Sequence, residues 1–406
     1  MSGHTRRRAL SHAATLILCL GAAMPAAAGP VPDKARSTVR AEFTAADLAT
    51  ARPEGLPAGL RLAGDDPQAF RAYLDTAPMA ARAPWLLLSG GGENGAFSAG
   101  LLKGWSEAGT RPEFGVVTGV STGALIAPFA FAGAAYDDAL RQAYTETSAA
   151  DVFEFGGGGG DSLTDTWPLR RQIERTVTPA LLRAVAAEQG KGRRLLVVTT
   201  ELDGGRPVLW DMGAIATQDS PAALKLFRAV MLASAAIPGV FPPVMIDADA
   251  ARGRRIQEMH ADGGTTAPFF LAPGATVTGE AGAEERLPAP AVYVVVNNAL
   301  RPDFQVAQRT MLSVLGRSLS AAIRAQTLGA IALARGYAAR TGLDLRVATI
   351  DRRFAQTSAA PFDQGYMRAL FAHGEKVGRD GTAFDWSADA MTTSTIRPEG
   401  QRAEMR

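Results

Sequence analysis

The chain has 406 residues, of which 47% are hydrophobic and 20% charged, a composition typical of globular proteins. Its formal net charge is only +2, and it becomes −1 when the first 28 residues are left out, so a nucleic-acid partner receives no electrostatic support and is not expected. A single cysteine excludes a disulfide framework. Of the four histidines only His260 and His373 lie beyond the first 28 residues, which have the signal pattern described next, so a multi-histidine metal site is not expected.

The first 28 residues have the pattern of a secretory signal. Arg6, Arg7 and Arg8 form a basic start, and an uncharged, mostly apolar run at 13–23 is too short to span a bilayer. Small residues then precede Gly29, so we expect cleavage near Ala28 and an exported protein that is periplasmic, outer-membrane-associated or secreted. Cleavage would remove three arginines and the only cysteine, and would change the net charge from +2 to −1.

Residues 29–83 are rich in proline and alanine and contain one clear helix start at Asp66-Pro67. We interpret them as a peripheral segment that wraps the main domain. From residue 84 to residue 381, short apolar runs alternate with amphipathic helical patterns, and the polar residues 382–406 form a predicted tail.

Buried strands that alternate with helices predict an α/β fold with a mostly parallel central sheet covered on both faces. No internal repeat or linker interrupts this region, so we expect one domain. The predicted strands are 85–88, 114–118, 195–200, 207–210, 292–296 and 343–350, and the main predicted helices are 97–108, 124–132, 221–236, 304–336 and 362–377.

Two glycine-rich motifs each follow a predicted strand. Ser121 stands between Gly119 and Gly123, a pattern that presents a serine hydroxyl at a strand-to-helix corner. About thirty residues earlier, a glycine-rich turn opens a helix, which is how backbone N–H groups are directed at a developing oxyanion. Together the motifs indicate acyl transfer by a serine nucleophile. The glycines of the predicted oxyanion turn are Gly90, Gly91, Gly92 and Gly95.

A serine nucleophile needs an adjacent base, and the sequence leaves more than one candidate. His260 would give a histidine-assisted triad. Asp262 is followed by Gly263 and Gly264, which allow the close backbone approach that would bring its carboxylate to the serine. Asp203 is also followed by glycines, but a predicted hairpin turn at 203–205 explains that pattern. We therefore favour Asp262 as the base.

The three motifs in this order resemble the patatin-like phospholipases. The resemblance extends over about 85–371 and implies a three-layer α/β/α sandwich, which makes 84–381 the predicted patatin-like catalytic domain. It further implies a Ser121–Asp262 dyad that hydrolyses the acyl esters of lipids, with no metal and no cofactor. The partners then expected are a lipid or other acyl-ester substrate and, transiently, a membrane surface.

Two positions depart from the family pattern. Ser89 stands where an aspartate usually begins the glycine turn, and Asn94 stands where an arginine or lysine usually precedes its last glycine. The missing positive charge removes an attraction for phosphate, so ester hydrolysis is better supported than a preference for phospholipids. These departures keep open a non-catalytic lipid-binding or membrane-scaffold protein, and an esterase for small soluble esters remains a further alternative.

Overall fold

The computed structural model describes residues 40–76, 83–155, 161–280, 286–301, 306–358 and 360–384. The predicted signal and the predicted tail beyond residue 384 lie outside these residues.

Twelve strands and twelve helices lie within the described residues. The strands are β1 (Arg52–Pro53), β2 (Arg61–Ala63), β3 (Trp85–Leu88), β4 (Val116–Val120), β5 (Glu154–Phe155), β6 (Thr164–Asp165), β7 (Arg194–Glu201), β8 (Arg206–Asp211), β9 (Val244–Asp249), β10 (Arg255–Asp262), β11 (Ala291–Val296) and β12 (Asp344–Thr349). The helices are α1 (Ala45–Thr50), α2 (Pro67–Asp75), α3 (Gly95–Glu107), α4 (Thr122–Ala132), α5 (Asp137–Thr145), α6 (Trp167–Thr176), α7 (Pro179–Gly190), α8 (Met212–Ala216), α9 (Pro221–Ser234), α10 (Gly274–Thr278), α11 (Met311–Thr341) and α12 (Gln364–Arg379).

The centre of the main sheet is parallel, in the order β12-β11-β3-β4-β7. Antiparallel strands extend it beyond β7, where β8 pairs with β7 and β2 pairs with β8. A second antiparallel branch, β10-β9-β1, also begins at β7. The predicted α/β class with parallel strands at its centre is therefore confirmed, and the peripheral segment contributes two short strands, β1 and β2, to the sheet edges.

Both faces of the central strands are buried, which explains why their sequences are continuous apolar runs. In β3, Leu86 and Leu88 belong to the core on one face, while Trp85 and Leu87 belong to the core on the other. Helices α3, α4, α7, α9 and α12 pack on the first face, and α2 and the C-terminal half of α11 pack on the second. The chain therefore forms three layers, helices on either side of a sheet.

Helices α3 and α12 approach each other unusually closely, because each presents two glycines four residues apart. A Cβ atom on Gly100 would lie 2.0 Å from the carbonyl oxygen of Phe371, and one on Gly104 would lie 1.9 Å from that of Glu375. Gly374 and Gly378 meet backbone atoms of α3 in the same way. This close packing sets the position of α3, whose first residue ends the glycine turn.

Within the described residues, no helix combines the length and the apolar character needed to cross a bilayer.

We predict that Gly104→Ala lowers the free energy of unfolding by about 3 kcal/mol, because the new methyl group meets backbone atoms that cannot move separately from their helix. The matched control is Gly329→Ala in α11, where, apart from the nearby backbone of the helix itself, no heavy atom lies within 4 Å of the position a Cβ would take. That change should stabilise the fold by about 0.5 to 1 kcal/mol, since alanine favours helix more than glycine does. Urea denaturation of both variants tests the packing, and equal effects would contradict it.

Candidate active site

Ser121 occupies the sharp turn between β4 and α4. Its φ of 55° and ψ of −124° place a non-glycine residue in a strained backbone conformation, which is characteristic of functional turns. The residues on either side of this turn, Gly119 and Gly123, must be glycine because other backbone segments lie too close to leave room for a Cβ atom. A Cβ on Gly119 would lie 2.6 Å from the carbonyl oxygen of Gly123, and a Cβ on Gly123 would lie 2.3 Å from that of Leu88.

A buried hydrogen bond holds the backbone of this turn. Ser234, the last residue of α9, accepts a hydrogen bond from the Ser121 N–H at 3.0 Å and donates its hydroxyl to the Val198 carbonyl at 2.6 Å. Ser234 therefore couples the turn to strand β7. The sequence analysis did not assign this role, because no local pattern distinguishes Ser234 from any other serine near the end of a helix.

Strand β7 brings the second motif to the first. Val198 pairs with both Leu209 of β8 and Val120 of β4, while the next residue, Thr199, pairs with both Val208 of β8 and Asp262 of β10. Because β8 occupies one edge of β7 throughout, β4 and β10 must follow each other along the opposite edge. Since β10 is antiparallel to β7, the C-terminal ends of the two strands meet.

At this meeting point the Ser121 hydroxyl donates to Asp262 Oδ2 at 2.6 Å. The other carboxylate oxygen, Oδ1, accepts the Gly264 N–H at 2.7 Å, and the Asp262 N–H donates to the Ala236 carbonyl at 2.9 Å. A Cβ on Gly263 would lie 2.3 Å from the Val198 carbonyl oxygen, so only glycine allows this approach. Ser121 and Asp262 are only 7% and 5% exposed, so the contact between their side chains is largely shielded from water.

Burial raises the pKa of Asp262 from 3.8 to about 7, even though the hydrogen bonds from Ser121 and Gly264 act in the opposite direction. Among the described residues, no cation contributes to this pKa. The carboxyl group is thus a much stronger proton acceptor than an aspartate in water, and it already accepts a hydrogen bond from the serine hydroxyl.

His260 lies on the same strand as Asp262, but its ring contacts Thr199 and Glu258 and not Ser121. Its Nδ1 is 3.0 Å from Thr199 Oγ1 and its Nε2 is 3.1 Å from Glu258 Oε2, so both ring nitrogens are engaged. Although burial alone would raise it, the pKa of Glu258 is lowered to about 2, mainly by the hydrogen-bonded guanidinium of Arg61. Burial lowers the pKa of His260 itself, which favours the neutral ring.

Asp203, the other aspartate that precedes glycine, lies in the turn between β7 and β8. Its carboxylate forms a two-point ion pair with Arg40, with both N···O distances 2.7 Å. That pairing lowers the pKa of Asp203. A carboxylate stabilised in this way is a poor base, and the turn accounts for the glycines beside it.

The glycine turn lies directly against the serine. A Cβ on Gly90 would be 3.1 Å from Ser121 Cβ. The Gly90 N–H donates to the Pro268 carbonyl and the Gly95 N–H to the Gly92 carbonyl, so these two donors are already used. The N–H groups of Gly91 and Gly92 have no acceptor among the described residues.

Gly91 and Gly92 have φ values of 152° and 57°, a region of backbone conformation that favours glycine. Gly95 is restricted by space, since a Cβ there would lie 2.4 Å from Thr122 Oγ1. Thr122 in turn forms a 2.5 Å hydrogen bond with Tyr144. The turn is therefore tightly packed on the first residue of α4.

Ser89, the first departure from the family pattern, has a structural role. Its hydroxyl donates to the Gly90 carbonyl at 2.7 Å and accepts the Asn297 N–H at 2.8 Å. The Asn297 side chain donates to the Ser89 carbonyl and accepts from Ser98 Oγ at 2.6 Å. Asn297, which the sequence analysis did not identify, thus connects the end of β11 to Ser89 before the glycine turn and to Ser98 of α3 after it.

The second departure, Asn94, accepts a hydrogen bond from the Tyr366 hydroxyl at 2.7 Å. The neighbouring Glu93 accepts the Phe362 N–H, and burial raises the pKa of its carboxyl group. Both side chains therefore bind α12 and the segment before it. They anchor the turn and do not supply a charge to a ligand.

A cleft of about 1060 Å³ lies between α6, α9, the start of β9 and the middle of β10. Arg170, Lys225 and Arg228 are among its lining residues, whereas Ser121 and Asp262 are not. This cleft therefore does not contain the reactive groups. The described residues also hold no cluster of three or more His, Cys, Asp or Glu side chains arranged to bind a metal ion.

The buried Asp262 should make stability depend on pH. The ordinary pKa of aspartate, 3.8, applies to the unfolded chain, whereas burial raises the pKa of Asp262 to about 7 in the fold. Between these pH values the folded chain therefore retains a proton that the unfolded chain releases. The free energy of unfolding should therefore fall as pH rises through this window, by about 4 kcal/mol in total.

We predict that Asp262→Asn removes this contribution and makes the variant more stable than the native chain at pH 8 but not at pH 4. Urea denaturation at both pH values measures the difference. Asp203→Asn is the matched control, because the pKa of Asp203 is lowered and its loss should destabilise at high pH. A pH-independent effect of Asp262→Asn would contradict the assignment of a buried, titrating carboxyl group.

The comparison with protein families agrees with the motifs. Residues 86–273 match the family model described as Patatin-like phospholipase, and this segment contains the glycine turn, Ser121 and Asp262. The crystal structure of VipD from Legionella pneumophila is similar, with 13% sequence identity, a TM-score of 0.39, and coverage of 74% of this chain and 67% of that one. No curated protein matches the sequence. The resemblance predicted from the motifs is thus confirmed over residues 86–273 by the patatin-like phospholipase family model.

Proposed function

We propose that the protein is a serine acyl hydrolase that cleaves carboxylic ester bonds of lipids, with Ser121 as nucleophile and Asp262 as base. The observation that carries the proposal is the 2.6 Å hydrogen bond from the Ser121 hydroxyl to a buried carboxylate with a raised pKa. The match to the patatin-like phospholipase family supports lipid esters as the substrate class. Export, which the N-terminal pattern predicts, would place this activity outside the cytoplasm.

In the first step Ser121 Oγ attacks the ester carbonyl carbon, and its proton passes to Asp262 Oδ2. Proton transfer is effective when the pKa of the base lies near the working pH, and a value of about 7 meets this condition. Gly264 donates to Oδ1, so the carboxyl group keeps its orientation whether or not Oδ2 carries the proton.

The carbonyl oxygen becomes an oxyanion, which the free N–H groups of Gly91 and Gly92 would bind. Backbone donors that are already oriented stabilise such a charge without reorganisation. The N-terminal end of α3 immediately follows the turn and adds a favourable helix dipole. Gly90 and Gly95 contribute by close packing, since their own N–H groups are used within the fold.

When the intermediate collapses, protonated Asp262 gives its proton to the departing alkoxide, and the acyl group remains on Ser121. Water then attacks the acyl-enzyme while Asp262 accepts one of its protons. The second collapse releases the fatty acid, and the proton returns to Ser121 Oγ. The two residues thus complete the cycle with backbone donors alone, and no cofactor takes part.

We predict that a fluorophosphonate probe labels Ser121 and that Ser121→Ala abolishes both labelling and turnover. Mass spectrometry of the labelled peptide identifies the site.

For the substrate class, we expect faster release of fatty acid from micellar phospholipid than from short-chain soluble esters. A folded native chain that neither reacts with the probe nor releases fatty acid would overturn the proposal, and a preference for soluble esters would change its substrate class.

We predict that Asp262→Asn lowers kcat at least about a hundredfold, because the base is lost. In the native chain kcat/KM should fall about tenfold per pH unit below pH 7 and be level above it, since only the ionised carboxylate accepts the proton. Asp203→Asn is the matched control and should retain activity. His260→Gln should keep the same pH profile. If it were as inactive as Asp262→Asn, the dyad would be replaced by a mechanism that needs the histidine.

A further inference from the structure

Helix α11 has two halves that differ in packing. From Thr327 onwards, Ile331, Ala334 and Tyr337 recur at helical spacing and are buried against the sheet. In residues 313–326, no side chain is buried. Since packing against the domain does not account for this N-terminal half, its exposed face is available to a partner.

The N-terminal half lies at the edge of the sheet where the reactive groups lie. Thr327 Oγ1 accepts a hydrogen bond from Asn298, just beyond the end of β11, at 3.0 Å. Twelve residues earlier, Leu315 Cδ2 lies 3.9 Å from the position of a Cβ on Gly239. Gly239 follows Ala236, whose carbonyl holds the Asp262 backbone.

Twelve helical residues extend about 18 Å. In the sheet order, β3 and β4 lie between β11 and the β7–β10 junction. A helix that runs from the end of β11 to the loop after α9 therefore passes across the ends of β3 and β4. The N-terminal half of α11 consequently borders the entrance to Ser121.

Exposed apolar side chains are concentrated here. Among the described residues, the large apolar side chains that are exposed number six, and four lie in or beside this region: Val306 (79%), Val314 (54%), Leu315 (41%) and Trp167 (42%). Trp167 lies beside the same loop, because it lines the cleft together with Pro242 and Pro243, which follow Gly239. Two separate elements thus present apolar groups around one loop.

The charge of this segment has one sign. Between Asp303 and Asp344 the sequence has no acidic residue and five arginines: Arg309, Arg317, Arg324, Arg335 and Arg340. The whole chain is nearly balanced, with 42 basic and 40 acidic residues, so this stretch is a local excess. Arg309 is exposed and Arg324 is half-buried.

Exposed apolar side chains beside arginines, without acidic residues, are the features of a helix that lies in the interface of an anionic bilayer. A second copy of this chain fits less well, because a twofold contact through this face would bring the arginines of both copies together. We propose that the N-terminal half of α11 binds the surface of an anionic lipid bilayer. This inference rests on the proposed function, because the contact would hold the entrance to Ser121 against its lipid substrate.

Binding is tested with the full chain carrying Ser121→Ala, so that no turnover alters the vesicles. Sedimentation is compared for vesicles of phosphatidylcholine alone and of phosphatidylcholine mixed with phosphatidylglycerol. We expect binding to the anionic vesicles to be at least about tenfold stronger and to weaken as salt is added. Arg309→Glu with Arg324→Glu, and separately Val314→Ser with Leu315→Ser, should each reduce it by at least about tenfold.

Two exposed residues away from this surface supply the matched controls. Arg183→Glu on α7 and Leu333→Ser on the C-terminal half of α11 should leave vesicle binding unchanged. Circular dichroism and thermal unfolding establish that every variant is folded.

Absence of a preference for anionic vesicles, or equal losses in the controls, would overturn the inference. Concentration-dependent dimers of the native chain that the α11 substitutions abolish would also overturn it, because the face would then be a contact between copies. A native chain that reacts with the fluorophosphonate but does not bind vesicles defeats only this inference. A chain that binds vesicles and whose Ser121 is never labelled defeats only the proposed function.

Discussion

The site depends on one structural constraint, that a single edge of β7 holds two strands end to end. Because β4 runs parallel to β7 and β10 runs antiparallel to it, each strand stops where the other stops. The consecutive residues Val198 and Thr199 mark the junction. Residues 141 positions apart in the sequence thereby come within hydrogen-bonding distance, and their positions follow from the backbone of the sheet.

This arrangement requires backbone segments to approach more closely than side chains normally allow, and glycine supplies that freedom at each contact. Gly123 faces the Leu88 carbonyl, Gly263 faces the Val198 carbonyl, and Gly104 faces the carbonyl of Glu375. The first packs the serine turn against the end of β3, the second brings the aspartate close to β7, and the third positions the helix that follows the glycine turn. A glycine-rich sequence here encodes close packing as well as turns.

The fold class and the pairing of motifs could be predicted because they leave local patterns. The predicted strand at 85–88 agrees with the structure, whereas the strand predicted at 114–118 lies at Val116–Val120. The apolar pattern shows that a strand is present but does not mark the residue at which its hydrogen bonding to the neighbouring strand begins. Strands β9 and β10 were not predicted. Their exposed and buried residues alternate along an antiparallel edge, and the polar members conceal the pattern. Contacts such as Tyr366 with Asn94 join distant parts of the chain and carry no local signal.

In the proposed function, the charges that would attract anionic lipid lie apart from the carboxyl group that would accept the proton. Around Ser121 the described residues offer backbone donors and a single carboxyl group, and Asn94, where a cation would be expected, is bound to Tyr366. A nearby cation would lower the pKa of Asp262 and weaken it as a base. The arginines of α11, in contrast, have no acidic residue beside them in the sequence of that helix. The proposed attraction for anionic lipid, located there, would hold the protein at a surface without reducing the proton affinity on which the proposed chemistry depends.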